Sequence, residues 1–255
     1  MSQEFLPTII KQKKQEVASM TYEDLKPLRS SYSFYEFVKN NSKELQVIAE
    51  IKKASPSLGA INLEVDIIKQ AKNYEDSGAA MISVLTDELF FKGHLEYLRE
   101  VATAVQIPIL NKDFIIDEKQ IIRARNAGAT VILLIVAILP EKRLKELYDF
   151  ATGLGLEVLV ETHNLAELEV AHRIDASIIG VNNRNLVTFE TDINTSLELS
   201  THFKSNKVYV SESAIFGAEE ATILAPYFQA ILVGTALMQA DDVSQRMKEL
   251  KIDKG

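Results

Sequence analysis

The sequence predicts a closed (β/α)8 barrel with a helical extension at its N-terminus, and three observations carry that expectation. Eight short apolar, β-branched runs follow one another from residue 46 onward, spaced roughly 20 to 35 residues apart, as βα units are. Helical stretches lie between them, so the strands are parallel and buried on both faces. The chain has 255 residues, the usual length of a barrel that runs as one domain. Eight strands in that length favour closure over an open doubly wound sheet, and no G-x-G-x-x-G follows the first run.

Taken in order, residues 1–45 read as helical and contain no strand pattern. Glu4 to Met20 places Phe5, Ile9 and Val17 among charges; Thr21 before Glu23 and Asp24 marks a second helix start, and Ser33 before Phe34-Tyr35-Glu36-Phe37 a third. Strands are expected at Gln46–Glu50, Met81–Leu85, Ile107–Leu110 and Val131–Ile135, then at Glu157–Val160, Ser177–Val181, Lys207–Val210 and Ala230–Val233. Helices are expected at Asp66–Ser77, His94–Val105, Asp117–Ala127, Glu141–Gly153 and Asn164–Ile174. Ser77-Gly78, Ala127-Gly128 and Gly153-Leu154-Gly155 supply helix C-termini. No low-complexity linker divides the chain. Residues 1–255 are therefore expected to form a single barrel domain, with 1–45 as a helical extension packed on it.

Composition narrows the partners. With 47% hydrophobic and 25% charged residues the chain is an ordinary globular protein able to bury a large core. It has no cysteine, which excludes disulfides and thiolate metal sites, and its histidines (His94, His163, His172, His202) form no H-x-x-x-H pair. No metal and no cofactor is expected. The net charge of −8 argues against nucleic acid and anionic membranes as partners, while leaving room for an anionic small molecule in a locally basic pocket. The start, MSQEFLPTIIKQKK, lacks a secretory pattern, and the longest apolar run, Val131 to Pro140, is too short to span a bilayer. A cytoplasmic protein is the expectation.

In such a barrel the chemistry belongs where strands end. The first run ends in Glu50-Ile51-Lys52, the third in Asn111-Lys112-Asp113-Phe114, and the fifth in Glu161-Thr162-His163. The sixth gives Asn182-Asn183-Arg184, the seventh Ser211-Glu212-Ser213, and the eighth Gly234-Thr235. Glu50 and Lys52 are two apart and so share a face. Lysines and carboxylates converging on one rim are costly unless paired; any one of them alone reads as a solvated charge, whereas the set in register reads as a site. Ser-Glu-Ser-Ala at 211–214 and Val-Gly-Thr at 233–235 stand in the two loops that often hold a phosphate in barrels.

Ile48-Ala49-Glu50-Ile51-Lys52-Lys53-Ala54-Ser55-Pro56-Ser57 resembles the E-x-K-x-x-S-P-S pattern of the indole-3-glycerol-phosphate synthase family. SVLTDELFFKG (83–93), LNKDFIID (110–117), LLIV (133–136), LVETHN (159–164), IIGVNNRNL (178–186), VSESAI (210–215) and LVGTALM (232–238) extend the resemblance over the whole barrel. IIKQKKQEV (9–17) is similar to the family's N-terminal helix, which packs over the active-site end. The resemblance implies conversion of 1-(2-carboxyphenylamino)-1-deoxyribulose 5-phosphate to indole-3-glycerol phosphate, with loss of carbon dioxide and water and without cofactor. It implies Lys112 as general acid, Glu161 and Lys52 as the acid/base pair, and Glu50 and Asn182 as orienting residues. It implies phosphate contacts at Ser213, Ala214, Gly234 and Thr235, and carboxylate contacts near Ser55 and Arg184. Ring contacts would come from Pro56, Phe91, Phe114 and Leu133, with Leu186 and Leu232 lining the same site and Glu212 joining the substrate-binding set. A phosphorylated small molecule is thus the expected partner, and the chain is expected as a monomer or weak homodimer.

Three positions depart from the family pattern. Ala214 stands where glycine is usual: at positive φ its β-carbon costs roughly 1–2 kcal/mol, while at negative φ it is harmless. Asn111 stands for a frequent arginine, and Thr235 for a serine or glutamate. Other phosphate-binding barrels, such as phosphoribosylanthranilate isomerases and tryptophan synthase α subunits, share the fold and the phosphate loops, but the Glu50/Lys52/Ser55/Pro56 set with Lys112 speaks against them. A barrel reduced to a binding role would have lost an acid/base residue, and all of them are present.

Overall fold

In the computed structural model, which describes residues 5–55 and 59–255, eight parallel strands close on themselves. They are β1 (Gln46–Ile51), β2 (Met81–Leu85), β3 (Ile109–Lys112), β4 (Val131–Ile135), β5 (Glu157–Thr162), β6 (Ile178–Asn182), β7 (Val208–Glu212) and β8 (Ala230–Val233). Each pairs with its neighbour in sequence, and β1 closes the ring between β8 and β2. The order is that of a (β/α)8 barrel. β2, β4 and β8 have the bounds that the sequence predicts. β3 begins two residues late for a visible reason. Glu75 Oε1 accepts the Gln106 and Ile107 amides at 2.6 and 3.1 Å, and Pro108 has no N–H for a ladder.

Register carries the polar ends of the strands to one place. Residues opposed across adjacent parallel strands share a face. Leu85 lies opposite Lys112, Ile135 opposite Glu161, Glu161 opposite Gly180, Asn182 opposite Glu212, and Glu212 opposite Leu232. Leu232 in turn faces Ile48, two residues before Glu50. The period of two therefore puts Glu50, Lys112, Leu133, Glu161, Asn182 and Glu212 on the inward face at the C-terminal end. Below them the barrel is filled by fully buried aliphatic side chains, among them Ile48, Val131, Leu159 and Val210.

The helices are α1 (Phe5–Ser19), α2 (Phe34–Asn40), α3 (Ile67–Asp76), α4 (Glu88–Phe91), α5 (Leu95–Ala104) and α6 (Glu118–Asn126). They continue with α7 (Glu141–Gly153), α8 (Leu165–Arg173), α9 (Asn194–Ser200), α10 (Ala218–Leu224), α11 (Thr235–Met238) and α12 (Val243–Leu250). Asp66, Asp117 and Asn164 cap α3, α6 and α8 by accepting the amides of Lys69, Lys119 and Glu167. Among the described residues, no helix is long and apolar enough to cross a membrane. The loop after β1 contains a feature that the sequence did not suggest: Ala54–Ser55 pairs antiparallel with Gly59–Ala60.

Residues 5–45 clasp the barrel at both ends. α1 lies over the C-terminal mouth, where Phe5 meets Phe90 and Phe189 edge-on at centroid distances of 5.4 and 4.7 Å. α2 closes the floor. Glu157, at the start of β5, accepts the amides of Phe34 and Tyr35 at 2.7 and 2.9 Å and the Ser33 hydroxyl at 2.8 Å. The expected helix beginning at Thr21 does not form; residues 20–33 run without helix along the outside. Pro27 keeps Lys26 out of the helical region, which leaves too few residues before it to sustain a helix. The Arg29 guanidinium then fixes the path by bonding the carbonyls of Ala102, Val105 and Ile107 at the end of α5.

Candidate active site

The inward polar residues form two linked ion clusters. Lys52 Nζ lies 2.8 Å from Glu50 Oε1. Lys112 Nζ lies 3.3 Å from Glu161 Oε2 and also bonds Glu212 Oε2. Glu161 and Glu212 are nearly inaccessible, at 3% and 1%, whereas Lys112 keeps 13% of its side chain exposed, toward the cavity. Burial works against the Lys112 charge, but Glu212, Glu161 and Glu50 outweigh it and hold the ammonium firmly charged. Burial pushes Glu50 up, yet Lys52 and Lys112 hold its carboxyl below the usual range. Glu161 is likewise held down against burial by Lys112, His163 and Asn182. Glu212 goes the other way: burial and the neighbouring carboxylates raise it despite Lys112. Two carboxyls on one lysine thus differ in character, the pattern that separates acid and base roles.

Glycines make room for this packing. A β-carbon at position 180 would lie 2.2 Å from Glu212 Oε1, and one at position 234 would lie 2.6 Å from Glu50 Oε1 and 3.0 Å from Lys52 Nζ. Glycine at 180 leaves room for Glu212 on its way to Lys112, and glycine at 234 leaves room for the Glu50–Lys52 pair against β8.

A cavity of about 120 Å³ opens above the clusters. Of the residues expected at the site, Glu50, Lys52, Ser55, Lys112, Glu161 and Asn182 border it. Phe91, Phe114, Leu133, Arg184, Leu186 and Ser213 border it too. Phe91 and Phe114 pair at a centroid distance of 6.1 Å, tilted by 37°, and form an apolar part of the cavity wall. Five expected residues stand behind that wall. Glu212 is turned to Lys112, and Leu232 is packed in the barrel wall at 5% exposure. Ala214 and Gly234 lie in the adjacent loops after β7 and β8, and Thr235 begins α11. Pro56, and Ser57 of the same motif, lie outside the described residues.

Those two loops have a distinct backbone. Ser213 and Ala214 both adopt left-handed φ, 65° and 58°. Ala214 is therefore the strained alternative of the two open from sequence. Among the described residues, no oxygen accepts a hydrogen bond from the backbone amide of Ala214 or of Thr235. Amides so placed beside a lysine are able to receive an anion.

Several residues at the site were not anticipated. Phe5 and Phe189 roof the cavity, and Asp87 and Asp113 edge it. Lys13 of α1 is buried with its Nζ 2.9 Å from Asp87 Oδ2 and 2.8 Å from Asp113 Oδ1. Asp113 also accepts the Thr86 hydroxyl at 2.7 Å, and Thr86 accepts from Asn111 at 2.8 Å. Asn111 thus serves this outer network rather than the cavity. A signal for Lys13 existed: Ile9, Lys13 and Val17 are four residues apart and form the buried stripe of α1.

A parallel barrel with paired lysines and carboxylates and an apolar wall at its C-terminal mouth has the form of a barrel enzyme that works on a small molecule by proton transfer. Residues 6–250 match the family model described as indole-3-glycerol phosphate synthase. The chain is 77% identical over 255 residues to the indole-3-glycerol phosphate synthases of Streptococcus sanguinis (strain SK36) and Streptococcus gordonii (strain Challis), with 100% of each chain covered. The chain belongs to the indole-3-glycerol phosphate synthase family. Its fold is also similar to that of 3-hexulose-6-phosphate synthase from Salmonella typhimurium, with a TM-score of 0.65 at 12% identity over 81% of this chain and 96% of that one.

Proposed function

We propose that this chain closes the indole ring, converting 1-(2-carboxyphenylamino)-1-deoxyribulose 5-phosphate to indole-3-glycerol phosphate. The observation that carries the reading is the charged Lys112 ammonium, held on the inward face by Glu161 and Glu212 and exposed only toward the cavity. The substrate's aromatic ring lies against the wall that Phe91 and Phe114 form. Its phosphate lies on the Ala214 and Thr235 amides with Lys52 nearby, and its carboxylate lies toward Ser55 and Arg184.

The ring carbon bearing the carboxylate attacks the ketone carbon while Lys112 gives a proton to the ketone oxygen, which becomes a hydroxyl. The bond to the carboxylate then breaks; carbon dioxide leaves and its electron pair restores the aromatic ring. Glu161, ionised, takes a proton from the new ring's methylene as Lys52 protonates the departing hydroxyl, which leaves as water. Each positioned acid or base contributes roughly 10²–10⁴ in rate. Glu50 orients Lys52, and Asn182 orients Glu161. Glu212 acts on Lys112 rather than on the substrate.

The reading extends to a cytoplasmic protein folded as one domain, a monomer or weak homodimer, with a phosphorylated small molecule and neither nucleic acid nor membrane as partner. The net charge of −8 supports the nucleic-acid part. Fluorescence detection of indole-3-glycerol phosphate, with the wild type and Lys112→Ala, tests the assignment. Turnover should fall at least about a hundredfold in the folded variant. Equal turnover removes Lys112 from the chemistry, and no product from the wild type removes the reaction.

A further inference from the structure

His163 stands beside the site and takes no part in the steps above. It is two residues beyond Glu161, at the end of β5, where its ring lies between two carboxylates. Nε2 is 3.2 Å from Glu161 Oε1, an ion-pair distance with the N–H off the line to the oxygen. On the other side Nδ1 is 3.0 Å from Glu167 Oε2, and the same oxygen accepts the His163 backbone amide at 2.8 Å. Glu167 is itself fixed. Its second oxygen accepts Asn164 Nδ2 at 2.7 Å, and its amide donates to Asn164 Oδ1 at 3.0 Å at the start of α8. The ring thus has one orientation set by a helix terminus, and that orientation presents Nε2 to Glu161.

We propose that His163, pinned by Glu167, is a positioning residue that acts through Glu161, keeping that carboxylate ionised after Lys112 has given up its proton. The proposal rests on the reading of Glu161 as the base. Glu161 divides its two oxygens between two cations, Oε2 toward Lys112 and Oε1 toward His163. Proton donation by Lys112 neutralises the first cation at the moment before the base is needed. A carboxylate that is 3% exposed and left with no cation takes up a proton. The imidazolium is the cation that remains.

The surroundings support a charged ring. Burial pulls the imidazole down, but Glu161 and Glu167 overcome it and push it up to about 9. His163 also borders a second cavity of about 470 Å³, whose other charged groups are Glu167, Arg184, Glu190 and Asp192. With Glu161, and Lys112 beyond it, these are the charged groups around the ring and its cavity on β5, α8 and the loop after β6 among the described residues. Carboxylates outnumber cations among them. The cavity also leaves the ring's flank open to a small exogenous molecule.

The test is the pH profile of kcat for the wild type, His163→Gln, Glu167→Gln and His163→Gly with added imidazole. Removing the cation raises the Glu161 pKa, and the reaction needs Glu161 ionised, so the acidic limb moves to higher pH. His163→Gln should shift it by at least about one unit, with KM little changed. Glu167→Gln should shift it the same way by less, because the ring loses one of its two carboxylates. Imidazole should return the His163→Gly limb toward the wild-type position. An unmoved limb in His163→Gln, or a kcat lowered equally at every pH, overturns the proposal. If His163→Gln fails to fold, Glu167→Gln carries the same decision. Full kcat in Glu161→Gln overturns the role of Glu161 itself, which is a separate and recognisable failure.

Discussion

Lys13→Met tests how α1 is held. The substitution keeps most of the side-chain volume and removes an ammonium that is 2% exposed, leaving Asp87 and Asp113, at 1% and 5%, without their cation. Breaking a buried pair by deleting one partner costs about 3–5 kcal/mol, because the surviving charge stays desolvated. In a chain of this size, 1 kcal/mol moves Tm by roughly 2–4 °C, so the expected fall in Tm is roughly 6–20 °C. Urea unfolding followed by far-UV circular dichroism measures the loss. Amide exchange across Phe5–Ser19 reports whether α1 detaches before the barrel opens. The triple variant Lys13→Met, Asp87→Asn, Asp113→Asn should regain at least half of the loss, since both asparagines keep acceptors for the amides of Phe90 and Phe114. A loss under about 1 kcal/mol, the worth of a surface pair, refutes the reasoning. So does a triple variant no more stable than the single one.

Ala214→Gly should stabilise the protein by about 0.5–1 kcal/mol, the relief of a left-handed β-carbon less the entropy that glycine adds to the unfolded chain; thermal unfolding decides, and a lower Tm contradicts it. Gly234→Ala should lower kcat/KM by roughly a hundredfold, because the new methyl displaces the Glu50–Lys52 pair; steady-state kinetics on the folded variant reads it directly. Glu50 and Glu161, held below their usual 4.5, contribute stability that is complete above that pH and lost as pH falls through their folded values. Glu50→Gln should therefore flatten the dependence of unfolding free energy on pH below about 4.5, as measured by urea titrations across that range.

The barrel was legible because its strands are buried on both faces and separated by polar helices. Val131–Ile135 and Met81–Leu85 announce themselves as unbroken apolar runs. The set at the strand ends followed from the period of two that joins Glu50 to Lys52 and from the place of Lys112, Glu161, Asn182 and Glu212 at the ends of the other runs. Contacts made across long sequence separations were not legible. Lys13 shares the spacing of Ile9 and Val17, but nothing in the run KQKKQE points to Asp87 and Asp113 as the partners beneath it. Phe5 reads as a core residue of its helix rather than the roof of a cavity. The segment from Thr21 misled because a cap pattern was weighed without Pro27 a few residues on. The φ of Ala214 is set by the loop between β7 and α10, and nothing in Ser-Glu-Ser-Ala fixes its sign.

The clasp formed by α1, the strap of residues 20–33 and α2 has a consequence for how the chain folds. Lys13 waits for Asp87 and Asp113, and the amides of Phe34 and Tyr35 wait for Glu157, a separation of 123 and 122 residues. Phe34 thus depends on a residue more than a hundred positions further along the chain, and the clasp closes only by contacts of long span.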